Sequence, residues 1–233
     1  MINAIGIYND DIGEVSLIDW MGDDRRAALA ARASFLEDLD GLASAEKLSI
    51  RDKKLLTFMI KEKHTSPFEH STITFRIKCP LYIRSQIMRH RTFSYNEVSR
   101  RYTSNCIEFH IPQRFRAQSK RNLQCSTGGE VDHNDSLVAW YTEQTNKAYQ
   151  AYKLLLDSGV CREQARAILP QNLYSTFWMT GSLHNYIKFL KLRLDAHAQP
   201  EVQEVAKAMC LHMQDIFPET LEIFYGLGIL VEG

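Results

Sequence analysis

Ser71-Thr72-Ile73-Thr74-Phe75-Arg76-Ile77-Lys78 sets three apolar side chains, Ile73, Phe75 and Ile77, against Thr72, Thr74, Arg76 and Lys78. Successive side chains of a strand point to opposite faces, so this period of two predicts a strand with one face buried and the other polar. Pro80 stops it, because proline brings no backbone N–H to a ladder. A short helix over Leu81 to Met88 follows.

Upstream, Glu14 to Trp20 predicts another strand, and Asp23 or Asp24 can cap a helix through Ala33, where alanine-rich sequence favours helix. Ser49, with Asp52 three residues on, suggests the cap of a helix that carries Leu55, Leu56, Met59 and Ile60 on one face and delivers His64 at its end. Downstream, Cys106 to Ile111 reads as a further strand. Gln113 to Asp135, with Ser126-Thr127-Gly128-Gly129, reads as a long polar loop, either closing over a site or simply mobile. Helices follow at Ser136 to Asp157, ending at Gly159, and at Arg162 to Leu169 before Pro170. Ser182 can cap a helix through Arg193, Pro200 starts one through Phe217, and Pro218 a last short one. The fold class is α/β in the mixed α+β sense.

The chain has 233 residues, enough to bury a full core, and is expected to form a single catalytic domain over 1–233. Its 28 basic and 28 acidic residues balance, which argues against a general nucleic-acid or membrane binder. Five cysteines, Cys79, Cys106, Cys125, Cys161 and Cys210, are widely spaced with no CxxC, which fits a reduced cytoplasmic setting and no zinc ribbon. No N-terminal apolar segment follows a basic start, and no run of about eighteen apolar residues is present to span a bilayer.

Against this neutral background the segment from Arg84 to Arg101 holds five arginines (Arg84, Arg89, Arg91, Arg100, Arg101) and His90 beside a single acid, Glu97. Guanidinium forks match phosphate oxygens, and several together focus the field on one dianion. The plain alternative is a solvated surface face, or pairing with acids elsewhere. Ser94, Asn96, Glu97, Ser99 and Tyr102 interleave neutral donors and acceptors with the cations, the mixture that reads a sugar or base as well as a phosphate. Asn96 and Glu97 suit a tight turn, so the segment is expected to be a loop.

The pattern RHRxxSxNExSxRY, filled by Arg89, His90, Arg91, Ser94, Asn96, Glu97, Ser99, Arg101 and Tyr102, resembles the signature of the flavin-dependent thymidylate synthases. Nine specified positions within fourteen residues make a specific match. Further similar segments occur in the same order: Ala31-Arg32-Ala33-Ser34-Phe35, His64-Thr65-Ser66-Pro67-Phe68-Glu69-His70, Gln86, Arg162 to Pro170, and Leu192-Arg193-Leu194-Asp195-Ala196-His197-Ala198-Gln199. The resemblance implies a central sheet flanked by helices and a homotetramer whose active sites form between subunits. It implies a reaction in which 5,10-methylenetetrahydrofolate gives a methylene group to C5 of dUMP, FAD supplies the hydride that completes the methyl, NADPH reduces the FAD, and tetrahydrofolate leaves.

By the same resemblance His64, Ser66, Arg89, His90, Arg91 and Glu97 contact the flavin, joined by Ser182, His184 and Lys188 later in the chain. Gln86, Arg89, Glu97, Val98, Ser99, Arg100, Arg101 and Arg166 form the dUMP pocket, and Arg193 polarises the uracil ring as the catalytic residue. Many members of the family carry asparagine and arginine where this chain has Ser182 and His184, and asparagine where it has Lys188. Gly226-Leu227-Gly228 lacks the third glycine and the following helix of a dinucleotide fingerprint. Ser99 has no His-Asp pair at a spacing that marks an activated nucleophile, and is read as a ligand contact. His70, His110, His133 and His212 lack metal-ligand spacing, so no metal site is expected. Two other classes would use the same cations. A nucleic-acid module would stack bases on Tyr95 and Tyr102, and a metal-dependent nucleotide hydrolase would need more acids than Glu97.

Overall fold

The computed structural model describes residues 3–33, 47–123 and 125–231, which leaves Ser34 and Phe35 of the family-like segment outside the described residues. The chain divides into two compact units: Met1–Ile77, Met88–Asn96 and Trp178–Gly233 form one, and Lys78–Ile87 with Glu97–Phe177 the other. Five strands make the main sheet, in the order β1 (Ala4–Ile7), β2 (Gly13–Met21), β3 (Thr72–Pro80), β7 (Tyr174–Ser182), β4 (Ser94–Glu97).

In the first unit β1 and β2 pair antiparallel, Ala4 opposite Ser16 and Ile7 opposite Gly13. Asp10 closes their turn, its Oδ1 accepting from the N–H groups of Ile12 and Gly13 at 3.0 and 2.9 Å. Strand β3 fulfils the alternation in its sequence: Ile73, Phe75 and Ile77 are fully buried. Each such side chain stabilises the fold by about 1.5–3 kcal/mol. Phe75 meets Tyr186 and His212 at ring distances of 5.4 and 5.8 Å, which brings in helices α6 (Leu183–Arg193) and α7 (Pro200–Ile216). The buried His212 in turn reaches the Val15 carbonyl of β2 through Nε2 at 3.1 Å.

The helix starts follow from short polar side chains placed as predicted. Ser49 and Asp52 form a reciprocal capping box at α2 (Ile50–Lys61), and Ser182 accepts from the Asn185 N–H at the start of α6. The two candidate caps of α1 (Asp24–Ala33) divide the work. Asp23 accepts from the Arg25 N–H, whereas Asp24 reaches the N–H groups of Glu219 and Thr220, at 2.9 and 2.8 Å, and so caps α8 (Pro218–Gly226). Arg32 of α1 binds the buried Asp52 of α2 at 2.5 Å.

The second unit holds α3 (Leu81–Ile87), α4 (Asn134–Asp157) and α5 (Arg162–Ala165), the last running on as a 3-10 turn over Arg166–Ile168. Tyr152, Ala165, Leu169 and Leu173 are its buried cluster. Helix α4 stops at Asp157, and Gly159 beyond it takes the left-handed φ of +84° that favours glycine.

Three expectations are corrected. Ser94–Glu97 is strand β4 rather than a turn, because the chain is pinned to β7 directly after it, by the Val98 N–H to the Thr176 carbonyl at 2.9 Å. Cys106 to Ile111 forms one bridge, Phe109 with Leu173, rather than a strand. Its start is blocked, since Cys106 has a φ of +52° and the Cys106 carbonyl is taken by Arg100. Within 113–135 an antiparallel hairpin replaces the loop, β5 (Arg116–Gln118) with β6 (Ser126–Glu130), and Gln118 Nε2 ties its tip to the carbonyls of Ser119, Leu123 and Cys125. Strands β1 and β7 have no counterpart in the sequence reading. No helix among the described residues is long and apolar enough to cross a membrane.

Candidate active site

The second unit contains a cavity of about 610 Å³, the size of a small-molecule site. Helix α3 lends it Arg84, the segment after β4 lends Glu97, Val98, Ser99 and Arg100, the α5 region Glu163 and Arg166, and the start of β7 Tyr174 and Ser175. Three guanidinium groups therefore face one cavity with two carboxylates. Glu97 is held from both of its oxygens: Oε1 accepts from Ser175 Oγ at 2.5 Å, and Oε2 pairs with Arg84 at 3.4 Å.

Arg100 donates to the carbonyls of Asn105, Cys106 and Tyr174 at 2.5, 2.9 and 3.5 Å, so its charge stands on the wall while its hydrogen bonds brace the backbone. Burial lowers its pKa, though a guanidinium stays charged at any ordinary pH. Arg101 pairs with Glu163 at 3.3 Å in an exposed ion pair and does not line the cavity. The half-buried Gln86 of α3 is also absent from the lining. Ser99 lines it, and its Oγ accepts from the Arg101 N–H at 3.3 Å.

The first unit gathers a second set. His90 Nε2 accepts from Arg193 Nε at 3.0 Å, and its ring meets Phe189 edge-on at 4.8 Å. Burial first, then the charges of Arg193 and Lys188, push the His90 pKa down to about 4. An imidazole whose Nε2 accepts carries its proton on Nδ1. The Arg193 pKa is lowered by burial. His184 is also lowered, by burial and Lys188, against an opposing pull from Glu69. Lys188, exposed on α6, is thus electrostatically coupled to both histidines.

The turn that presents His90 is fixed by its neighbours. Tyr95 donates its hydroxyl to the His90 carbonyl at 2.9 Å, and Asn185 Nδ2 donates to the Thr92 carbonyl at 2.8 Å. Phe93 lies against Gly181, where an added Cβ would stand 2.4 Å from the ring. Arg89 and Arg91 are exposed on either side of His90, and His64 and Ser66 are exposed on the segment before β3. Ser182 is engaged as the α6 cap.

The predicted flavin residues apart from Glu97 thus lie in the first unit, and the predicted nucleotide residues apart from Arg89 and Arg193 in the second. Sequence reasoning missed Tyr174, Ser175 and Glu163 on the cavity wall and placed Arg84 in the cationic cluster without assigning it a ligand contact. Arg84 had a signal, its membership of the arginine cluster. Ser175 had none.

Residues 16–219 match the family described as thymidylate synthase complementing protein. The chain is 41% identical over 208 residues to the flavin-dependent thymidylate synthase of Thermus thermophilus, covering 89% of this chain and 74% of that one. To the flavin-dependent thymidylate synthase of Kosmotoga olearia it is 40% identical over 213 residues, covering 91% and 90%. Among solved structures it resembles a UMP/dUMP methylase, PolB, from Streptomyces cacaoi bound with 5-Br dUMP, with a TM-score of 0.81, 30% identity, and coverage of 94% of this chain and 97% of that one.

Proposed function

The chain belongs to the thymidylate synthase complementing protein family, with the flavin-dependent thymidylate synthases, and on that premise we propose that it converts dUMP to dTMP by reductive methylation. The observation that carries the reading is the cation-walled cavity of the second unit. Arg84, Arg100 and Arg166 suit a nucleotide phosphate, while Glu97 and Ser99 add the acceptor and neutral groups that read a sugar and base. Gln86 and Arg101 join the nucleotide set by resemblance, as does Arg89.

Flavin is the cofactor, in our reading as FAD, and the residues of the first unit fit it. Arg89, Arg91 and Lys188 are exposed cations suited to a pyrophosphate, and His90 and His184 are held towards their neutral forms, as uncharged donors or acceptors for a ring system. His64, Ser66 and Ser182 complete that set, and Glu97 is assigned to it by resemblance alone. When bound, the flavin supplies the hydride that completes the methyl group.

The protein supplies orientation and charge. By resemblance Arg193, its Nε fixed by neutral His90, is the catalytic residue, which would stabilise negative charge developing on the uracil ring as C5 attacks the one-carbon donor. A guanidinium already held in place needs no reorganisation at that moment. We infer 5,10-methylenetetrahydrofolate as donor, NADPH as reductant, the cytoplasm as location and one catalytic domain over 1–233. A homotetramer with active sites between subunits is supported by the exposure of Trp20, Trp140 and Trp178, at 51%, 59% and 49%, apolar surface that a neighbouring copy would cover.

Tritium release from dUMP labelled at C5 tests the reaction. Release that needs the folate, FAD and NADPH together is the expected result. No release from folded, flavin-loaded protein would overturn the reading.

A further inference from the structure

We propose that Ser175 is a positioning residue that sets Glu97 in the nucleotide cavity, an assignment that rests on the dUMP reading above. Ser175 is 5% exposed, yet it is one of the residues that line the cavity. Its Oγ–H donates to Glu97 Oε1 at 2.5 Å, the short distance of a hydrogen bond to an ionised acceptor.

The backbone dictates the meeting. The Val98 N–H donates to the Thr176 carbonyl at 2.9 Å, which holds the segment that carries Glu97 alongside the segment that carries Ser175. Glu97 needs such a clamp, because it is one of two acids on a wall that also carries Arg84, Arg100 and Arg166. A glutamate has three rotatable bonds, and without Ser175 it is drawn by charge alone towards whichever guanidinium is nearest. Arg84 pairs with the other oxygen, Oε2, at the longer distance of 3.4 Å. Ser175 therefore selects the carboxylate orientation that leaves the cationic wall open to an incoming phosphate.

Acting through Glu97 has a signature that a merely structural serine lacks. Ser175→Ala is expected to raise the Kd and KM for dUMP about tenfold, equivalent to about 1.4 kcal/mol, a larger change than that in kcat. Ser175→Thr keeps the hydroxyl and is expected to restore binding. The decisive comparison is a double-mutant cycle with Glu97→Gln, read by dUMP titration of flavin-loaded protein. If Ser175 works through Glu97, adding Ser175→Ala to Glu97→Gln changes the Kd by less than about twofold. Should Ser175→Ala fail to fold, Ser175→Cys, similar in shape but a weak donor, enters the same cycle. Normal dUMP binding by wild type with an unchanged Kd in the Ser175 variant, or a full tenfold loss added to that of Glu97→Gln, overturns the inference alone. A wild-type protein that binds flavin but no dUMP overturns the functional reading and this inference with it.

Discussion

Replacing His90 by glutamine separates the two jobs the ring does, accepting from Arg193 and remaining uncharged. In the folded protein its pKa is pushed down from 6.5 to about 4, by burial and then by the cations Arg193 and Lys188. The unfolded chain takes up the proton near pH 6.5, while the folded chain refuses it until about pH 4. Stability tied to the neutral ring is therefore complete above pH 6.5 and is lost as the pH falls towards 4. The upper limit is about 1.4 kcal/mol for each pH unit in that window. Since the ring is half-buried, solvent screening reduces the whole loss to about 1–2 kcal/mol. A glutamine carbonyl can accept the same Arg193 N–H and does not titrate. Urea unfolding between about pH 7 and about pH 4.5 should thus cost the wild type about 1–2 kcal/mol more than His90→Gln. An NMR titration of the ring should give a midpoint near 4. A ring that titrates near 6.5, with parallel stability curves for the two proteins, would refute the buried, cation-facing placement of His90.

Further perturbations read other parts of the same frame. Gly181→Ala puts a Cβ 2.4 Å from Phe93, so the ring and the turn that presents His90 must move. Thermal unfolding should show a loss of about 1–3 kcal/mol, with turnover falling further than stability alone explains. Asp24→Ala removes both acceptors at the start of α8 and should cost about 1–2 kcal/mol in urea unfolding, whereas Asp24→Asn, which keeps one, should recover part of it. Arg193→Ala should nearly abolish dTMP formation while flavin absorbance of the purified protein is retained. Normal turnover in that variant would remove Arg193 from the mechanism.

The elements legible in the sequence are those whose cause is local. Ile73, Phe75 and Ile77 alternate because one face of β3 is core, and Ser49, Asp52 and Ser182 announce helix starts because capping works over three residues. What escaped has distant causes. Strand β7 buries Ser175, Phe177 and Met179 and exposes Trp178, so the period of two is masked in hydropathy by a buried serine and an exposed tryptophan, and its neighbours β3 and β4 lie far away in sequence. Asn96 and Glu97 have turn propensities that pairing overrides. The hairpin of β5 and β6 buries almost nothing, and hydropathy had no apolar face to find.

The site divides along the same line between local and distant causes, and the division explains why one motif served so well. The family signature is contiguous, yet its residues up to Asn96 fall in one compact unit and those from Glu97 in the other. Fourteen residues therefore seed both proposed binding sets, cofactor residues before the break and, Arg89 apart, nucleotide residues after it, with Glu97 in both sets. A reader of sequence sees both at once. Their supports, however, come from segments with no motif of their own: Gly181 has no side chain because Phe93 occupies that space, and Ser175 hydrogen-bonds Glu97 from 78 positions away. A signature names the groups that touch ligands. The residues that hold those groups still are chosen by geometry, and only the fold shows which they are.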